Sequence, residues 1–422
     1  PGKLAILFPG QGSQYTGMLR DLACTFPQMV DTLASADDGF LGPHGQRLSD
    51  IIYPASALSH ETKESRENAL RATEAAQPAI GAVSLGLYKV MQAFGVIPEV
   101  LAGHSYGELT ALCAAGRLDE TALHELSRLR GRLMGEGKGD RGGMLAVSAT
   151  LAKVQQVIAE EHLELVVANR NAPTQAVLSG SSTEIGRAEA AFSSRNLTCK
   201  QLTVAAAFHS PLVADAAAPF LAELDKIELN EGELPVYANT TAAAYPADPI
   251  AAKSLLANQL AKPVEFVAEI EAMYAAGVRT FVEVGPAARL TGLVRAILGE
   301  RLHTVVAVDA SGGKRSGVAD LARALSQLAV SGCSVHLSKW DAEYRAPENT
   351  GKKPLMTVPI CGANYVKPRS RRPSLAPRPP VSAVSQPLGD KLPAAAKPVN
   401  APQPAPSLCA SSRPLSRESL AE

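Results

Sequence analysis

From Lys3 to about Gly139, short apolar runs alternate with longer stretches in which apolar side chains recur every three or four positions. Lys3 to Phe8 and Val100 to Ala102 are apolar and too short for helices, so they read as buried strands. Ile80, Val83, Leu87, Val90, Met91 and Phe94 fall on one helical stripe. Pro78 is expected in the first turn of that helix, where a missing N–H costs little. Such alternation predicts an α/β domain.

Between Gly142 and Leu202 the texture changes. Met144 to Val147, Leu165 to Ala168, Ala176 to Ser179 and Cys199 to Leu202 read as strands, and Leu151 to Glu160 and Ser182 to Ser193 as helices. The resulting β-α-β-β-α-β order is the ferredoxin-like arrangement. The α/β pattern then resumes to Val308, with strands at Val236 to Tyr237 and Phe281 to Val284. We therefore expect an α/β-hydrolase-like large lobe over residues 1–141 and 203–308, with a ferredoxin-like small lobe inserted at 142–202. A C-terminal linker over 309–368 carries a helix at Val318 to Val330 and apolar pieces around Trp340 and Tyr365. Residues 369–422 are rich in Pro, Ala and Ser, cannot bury enough apolar surface to offset ordering, and read as a disordered tether.

Composition narrows the function classes. The 422 residues carry 41 acidic and 41 basic side chains, so net charge gives no reason to expect nucleic acid or a membrane surface. No apolar run approaches the roughly 20 residues that span a bilayer. The chain starts at Pro1 and enters a strand almost at once, so we expect a cytoplasmic piece of a longer polypeptide. Six scattered cysteines and eight scattered histidines form no C-x-x-C pair or metal-spaced cluster, and no bound metal or cofactor is expected. There is no phosphate-loop or dinucleotide fingerprint.

The chemistry concentrates in three segments. Gly103-His104-Ser105-Tyr106-Gly107-Glu108 sets a serine between glycines, after a strand and before the helix-like run Glu108 to Ala115. A sharp turn there exposes the serine, and the helix N-terminus favours developing negative charge. Pro9-Gly10-Gln11-Gly12-Ser13-Gln14 follows the first strand and can approach another loop closely, or is an ordinary turn. Ala206-Ala207-Phe208-His209-Ser210-Pro211 opens a Pro-led helix and supplies the base that a serine nucleophile requires. On the Leu118 to Met134 helix, Arg128 and Arg132 have Glu125 and Glu136 at ion-pair spacing. Arg130 has only Leu126 and Met134 four residues either side. A guanidinium on an apolar face needs an anion, either a ligand or a distant acid such as Glu108. Asn169 and Asn171, in an N-x-N-x-P turn, line the cleft or make a plain Asn-rich turn.

PGQGSQ, GHSYGE, RGRLM at Arg130, AAFHSP, the QLAKPVEF stretch from Gln259 and EVGP at Gly285 together resemble the malonyl-transferring acyltransferases of fatty-acid and polyketide synthesis. The likeness runs from Lys3 to Val308 in family order. The wording around Gln77, Phe208 and Ile360 to Tyr365 is most similar to multidomain polyunsaturated-fatty-acid and iterative synthases. The resemblance implies transfer of malonyl from malonyl-CoA through an ester on Ser105 to the thiol of an acyl carrier protein, with a ketosynthase domain adjacent. It implies His209 as base and then acid, the Gln259 carbonyl as its orienter, and the Gln11 and Tyr106 backbone N–H groups as oxyanion hole. Arg130 would clamp the malonyl carboxylate, with Gln77, Met134, Phe208 and Asn171 also at the substrate. Phe208 goes with malonyl, and with Tyr106 would narrow the space beside the C2 carbon. Ala206 stands where the commoner malonyl wording has histidine, which leaves exclusion of methyl-branched units open. The rival readings are a serine thioesterase with an editing role, which has no need of Arg130, and a docking module without activity.

Overall fold

The protein is described from a computed structural model, covering residues 2–40, 42, 45–135 and 140–341. Its larger sheet has six strands, β1 (Lys3–Phe8), β2 (Val100–Gly103), β7 (Val236–Ala238), β8 (Ala243–Ala244), β9 (Val278–Glu283) and β10 (Thr304–Ala307), in the order β10-β9-β1-β2-β7-β8. All neighbours pair in parallel except β8, which runs antiparallel to β7. Ile6 of β1 is flanked by Leu101 on one side and Val282 on the other. Leu4, Ile6 and Phe8 enter one core while Ala5 and Leu7 enter the core on the opposite face. A central parallel strand is covered on both sides, which is why β1 reads as an unbroken apolar run instead of an alternating one.

The helix Thr73–Ala93 crosses the first of these cores. Its predicted stripe is buried, but so is most of the rest of its surface, because Ala, Gly and Ser fill the positions between. The helix begins five residues before Pro78, so that proline lies inside it and not in its first turn.

The second sheet has four strands, β3 (Gly143–Val147), β4 (Val166–Ala172), β5 (Gln175–Gly180) and β6 (Cys199–Gln201), all antiparallel, in the order β4-β5-β3-β6. Helices Leu151–Glu160 and Ser182–Ser194 cover it, capped by the Thr150 and Ser181 hydroxyls. Leu145, Val154, Leu178 and Phe192 lie in a separate core of its own. Asn169 and Asn171 lie within β4, which runs past the expected end at Ala168; they are strand residues and not a turn. Pairing with β5 and a bridge from Asn169 to Val264 hold this extension in place.

After β10, the Asp309 carboxylate accepts from the Tyr15 hydroxyl and the Ala287 N–H, both at 2.7 Å. The helix Gly317–Val330 then buries Leu321, Ala324, Leu325 and Leu328. Trp340 packs at a tilt against Phe94, ring centres 5.3 Å apart, and meets Phe26 edge-on. Tyr365, the Ile360 to Tyr365 segment, the tether and the expected Arg132 partner Glu136 lie outside the described residues. No helix among the described residues is long and apolar enough to cross a membrane.

Candidate active site

The site is built at the carboxyl ends of β1, β2 and β7, the edge at which parallel sheets open to ligands. Ser105 lies two residues past the end of β2 and holds a left-handed φ of 53°. The turn is possible because a Cβ on Gly103 would strike the Gly107 backbone, and one on Gly107 the Phe8 carbonyl. The helix Gly107–Ala114 starts immediately behind. Ser105 is half-buried, so its side chain reaches the cleft.

His209 lies on the loop before the helix Pro211–Ala216, which is a 3₁₀ helix and not the expected α-helix. Its φ is also left-handed, at 56°. Ser105 Oγ and His209 Nε2 are 2.7 Å apart. Nδ1 faces two carbonyls, of Gln259 at 3.0 Å and Lys262 at 3.1 Å, so it must carry the hydrogen and donate. Nε2 is then an acceptor for the serine hydroxyl. Burial, reinforced by the Arg130 charge, pushes His209 down to about 3, so the ring is neutral and able to take a proton.

Arg130 lies in the helix Glu120–Gly135 and is 1% exposed. Its guanidinium donates to Gln77 Oε1 at 2.9 Å and Gln259 Oε1 at 3.0 Å, both neutral amides. No salt bridge to it occurs among the described residues. Burial pulls it down to about 10, which leaves it charged near neutrality. Its neighbour Arg128 donates to the Asp38 carbonyl at 3.1 Å, in place of the expected pair with Glu125.

The Gly10–Gln11 loop approaches Ser105 closely, since a Cβ on Gly10 would meet the His104 carbonyl and lie 3.5 Å from Ser105 Cβ. Among the described residues, the Gln11 and Tyr106 backbone N–H groups donate to no protein acceptor. The Gln11 side chain donates to Thr73 Oγ1 and accepts from Gln77 Nε2 at 3.4 Å.

A model of one family matches residues 6–332, under the description acyl transferase domain. The chain belongs to that family. A polyunsaturated fatty acid synthase polypeptide of Thraustochytrium sp. is 31% identical over 88% of this chain, which spans only 13% of that relative. The malonyl CoA-acyl carrier protein transacylase of Bacillus subtilis is 33% identical over 73% of this chain and 94% of its own. Among solved structures, a malonyl-transacylase in complex with its type II polyketide acyl-carrier protein superposes with a TM-score of 0.67. It is 30% identical, over 76% of this chain and 99% of that one.

In this acyl transferase domain, Tyr106 departs from its expected position. Its ring is fully buried and its hydroxyl bonds Ser127 Oγ at 2.6 Å, so it does not narrow the space beside Ser105. Instead it lies beneath Arg130, whose guanidinium carbon is 5.8 Å from the ring centre. Met134 sits behind Gln77, its sulfur 3.7 Å from Nε2. Phe208 is buried in the main core, and its carbonyl accepts from Ser179 Oγ of β5 at 2.7 Å. Asn171 accepts from His104 Nε2 at 2.7 Å, tying β4 to the residue before Ser105.

Asn239 and Glu269 at the site are not evident from the sequence, whereas Glu108, weighed there as an acid for Arg130, makes no salt bridge with it among the described residues and bonds Gln259 instead. Asn239, just past β7, accepts from the Ser105 N–H at 2.6 Å and donates to the Gly103 carbonyl and to Glu269 Oε2. Glu108 and Glu269 are fully buried behind the site. A polar residue closing a short apolar strand, Val236-Tyr237-Ala238-Asn239, is the signal available for the first. Nothing in the local pattern marks the two glutamates as buried.

Proposed function

We propose that this domain moves a malonyl group from malonyl-CoA to the phosphopantetheine thiol of an acyl carrier protein, through an ester on Ser105. The observation that carries the reading is Arg130, a buried guanidinium whose partners are both neutral. Such a charge is costly unless an anion joins it, and the free carboxylate of malonate matches its planar donor fork.

In the first half-reaction the Ser105 Oγ attacks the thioester carbonyl while its proton passes to His209 Nε2. Nδ1–H stays on the Gln259 carbonyl throughout. The oxyanion meets the Gln11 and Tyr106 N–H groups, each worth about 3–4 kcal/mol. Collapse releases coenzyme A, whose sulfur takes the proton back from His209. In the second, the carrier thiol gives its proton to His209 and attacks the malonyl ester, and Ser105 is reprotonated on release. A neutral carbonyl suffices to orient His209, because a thiol with a pKa of about 8.5 leaves far more readily than an amine. Coenzyme A enters as part of the substrate, and no resident cofactor takes part.

Gln77 holds Arg130, with Met134 behind it, while Phe208 and Asn171 bound the acyl site. The six-stranded body is read as the α/β-hydrolase-like large lobe, and the β-α-β-β-α-β unit as a ferredoxin-like small lobe closing the cleft. The relatives support a place within a polyunsaturated-fatty-acid or polyketide synthase, and a neighbouring ketosynthase is part of the reading that the sequence resemblance implies. A thioester hydrolase has no use for a buried guanidinium, so transfer is preferred over editing. Incubation with malonyl-CoA and then with a carrier protein tests the reading: malonyl must appear on the domain and then on the carrier thiol. Hydrolysis to free malonate without carrier loading would favour the hydrolase.

A further inference from the structure

Two buried carboxyls stand behind the groups that touch Ser105, and the transfer as described uses neither. Glu269 backs Asn239, which accepts from the Ser105 N–H. Glu108 backs Gln259. Its Oε1 receives the Tyr245 hydroxyl, and its Oε2 accepts from Gln259 Nε2 at 2.9 Å. The same Nε2 donates to the Ser105 carbonyl at 2.8 Å, which leaves Gln259 Oε1 facing Arg130. Every polar atom of that carboxamide is therefore committed. Turned over, it would set an NH2 group against the guanidinium and an oxygen against both a carbonyl and a carboxyl. Glu108 fixes the choice while remaining one side chain removed from Arg130.

We propose that Glu108 is a positioning residue, which locks the Gln259 carboxamide in the one orientation that joins the Arg130 guanidinium to the Ser105 carbonyl. Through it, Glu108 sets the preference for carboxylated over uncarboxylated acyl groups. The inference rests on reading Arg130 as the carboxylate clamp, and extends it to a residue that touches no substrate. Its charge is not what matters. The Tyr245 hydroxyl can donate or accept, so Oε2 stays an acceptor for Gln259 whether or not Oε1 carries a proton. Burial pushes the Glu108 carboxyl up to about 7, consistent with a group that works in either form.

The test compares initial loading rates from malonyl-CoA and from acetyl-CoA in the unaltered domain, Glu108→Met and Glu108→Gln, with melting temperatures alongside. Methionine keeps the volume and removes the acceptor, whereas glutamine can accept from Gln259 and donate to Tyr245. Glu108→Met is expected to lower the malonyl-to-acetyl ratio roughly tenfold, and Glu108→Gln to bring it back to within about threefold. A purely structural role would slow both acyl groups in proportion and leave the ratio alone. An unchanged ratio in Glu108→Met, or a Glu108→Gln protein as indiscriminate as Glu108→Met, overturns the inference while the transfer reading stands. If Glu108→Met does not fold, Gln259→Met decides on the same ratio, since it keeps the backbone carbonyl on His209; no change there is equally fatal. If the unaltered domain takes up no malonyl, both readings fall.

Discussion

Ser105 Oγ lies 2.7 Å from His209 Nε2, although each residue holds a left-handed backbone angle that side chains other than glycine avoid. Such strain persists only where surrounding structure over-determines it. At Ser105 the determinants are the Asn239 oxygen on its N–H, the Gln259 amide on its carbonyl, and the glycines that let β1 close in. Gly107→Ala should therefore cost at least about 1–3 kcal/mol, because its methyl would meet the Phe8 carbonyl and not a movable side chain. Denaturant midpoints would check this, with loss of malonyl loading expected in any protein that still folds.

Arg130→Ala should lose malonyl and gain acetyl loading. The uncarboxylated thioester leaves the guanidinium without an anion in the unaltered domain, a discrimination of roughly 2–4 kcal/mol. Comparing kcat/KM for the two thioesters reads both effects, and equal values in the unaltered domain would remove the clamp.

Phe208→Ser should raise methylmalonyl loading relative to malonyl. It should also cost about 3–5 kcal/mol of stability, since the ring is part of the main core. Loading ratios and melting temperatures together separate the two effects. Reduced stability with an unchanged ratio would move the size filter elsewhere, to Ala206 or the β4 edge.

Loading should not follow an ordinary imidazole titration. With His209 pushed down to about 3, the base is neutral well below its usual range, so kcat/KM for malonyl-CoA should stay level from about pH 8 to about pH 5. A lowered folded-state value acts on stability in the same window. The contribution is complete above the unfolded value near 6.5 and is lost as pH falls toward 3. A rate profile with a midpoint near 6.5 would contradict this account of the base.

Ending the chain before Asp309 should destabilise the domain. It removes the carboxylate that holds Tyr15 and the Ala287 N–H, together with a helix carrying four buried apolar side chains, Leu321, Ala324, Leu325 and Leu328. Ending it near Arg369 should leave folding and loading intact. Limited proteolysis and thermal melts of the two shortened chains test the contrast.

Much of this is legible in the sequence because it depends on local pattern. The apolar run of β1, the elbow around Ser105 and the β-α-β-β-α-β unit announce themselves over a few residues each. Arg130 stands out by lacking an acid at helical spacing, and the structure gives it two amides. What stays hidden depends on residues that meet only after folding. Asn239 reaches Ser105 across 134 positions of sequence, and Gln259 reaches Glu108 across 151. Tyr106 defies its sequence neighbourhood for the same reason, because only the helix Glu120–Gly135 and its Ser127 draw the ring into the core. Pro78 sits deeper in its helix than local rules allow, because tertiary burial carries the helix through a residue that would end it in isolation.

The most direct test is the intact mass of the domain after brief exposure to malonyl-CoA alone, followed by peptide mapping, for the unaltered protein and for Ser105→Ala. The account predicts one malonyl adduct, on Ser105, that a carrier-protein thiol removes, and no adduct in Ser105→Ala. An adduct on any other residue, or one that persists in Ser105→Ala, would contradict it.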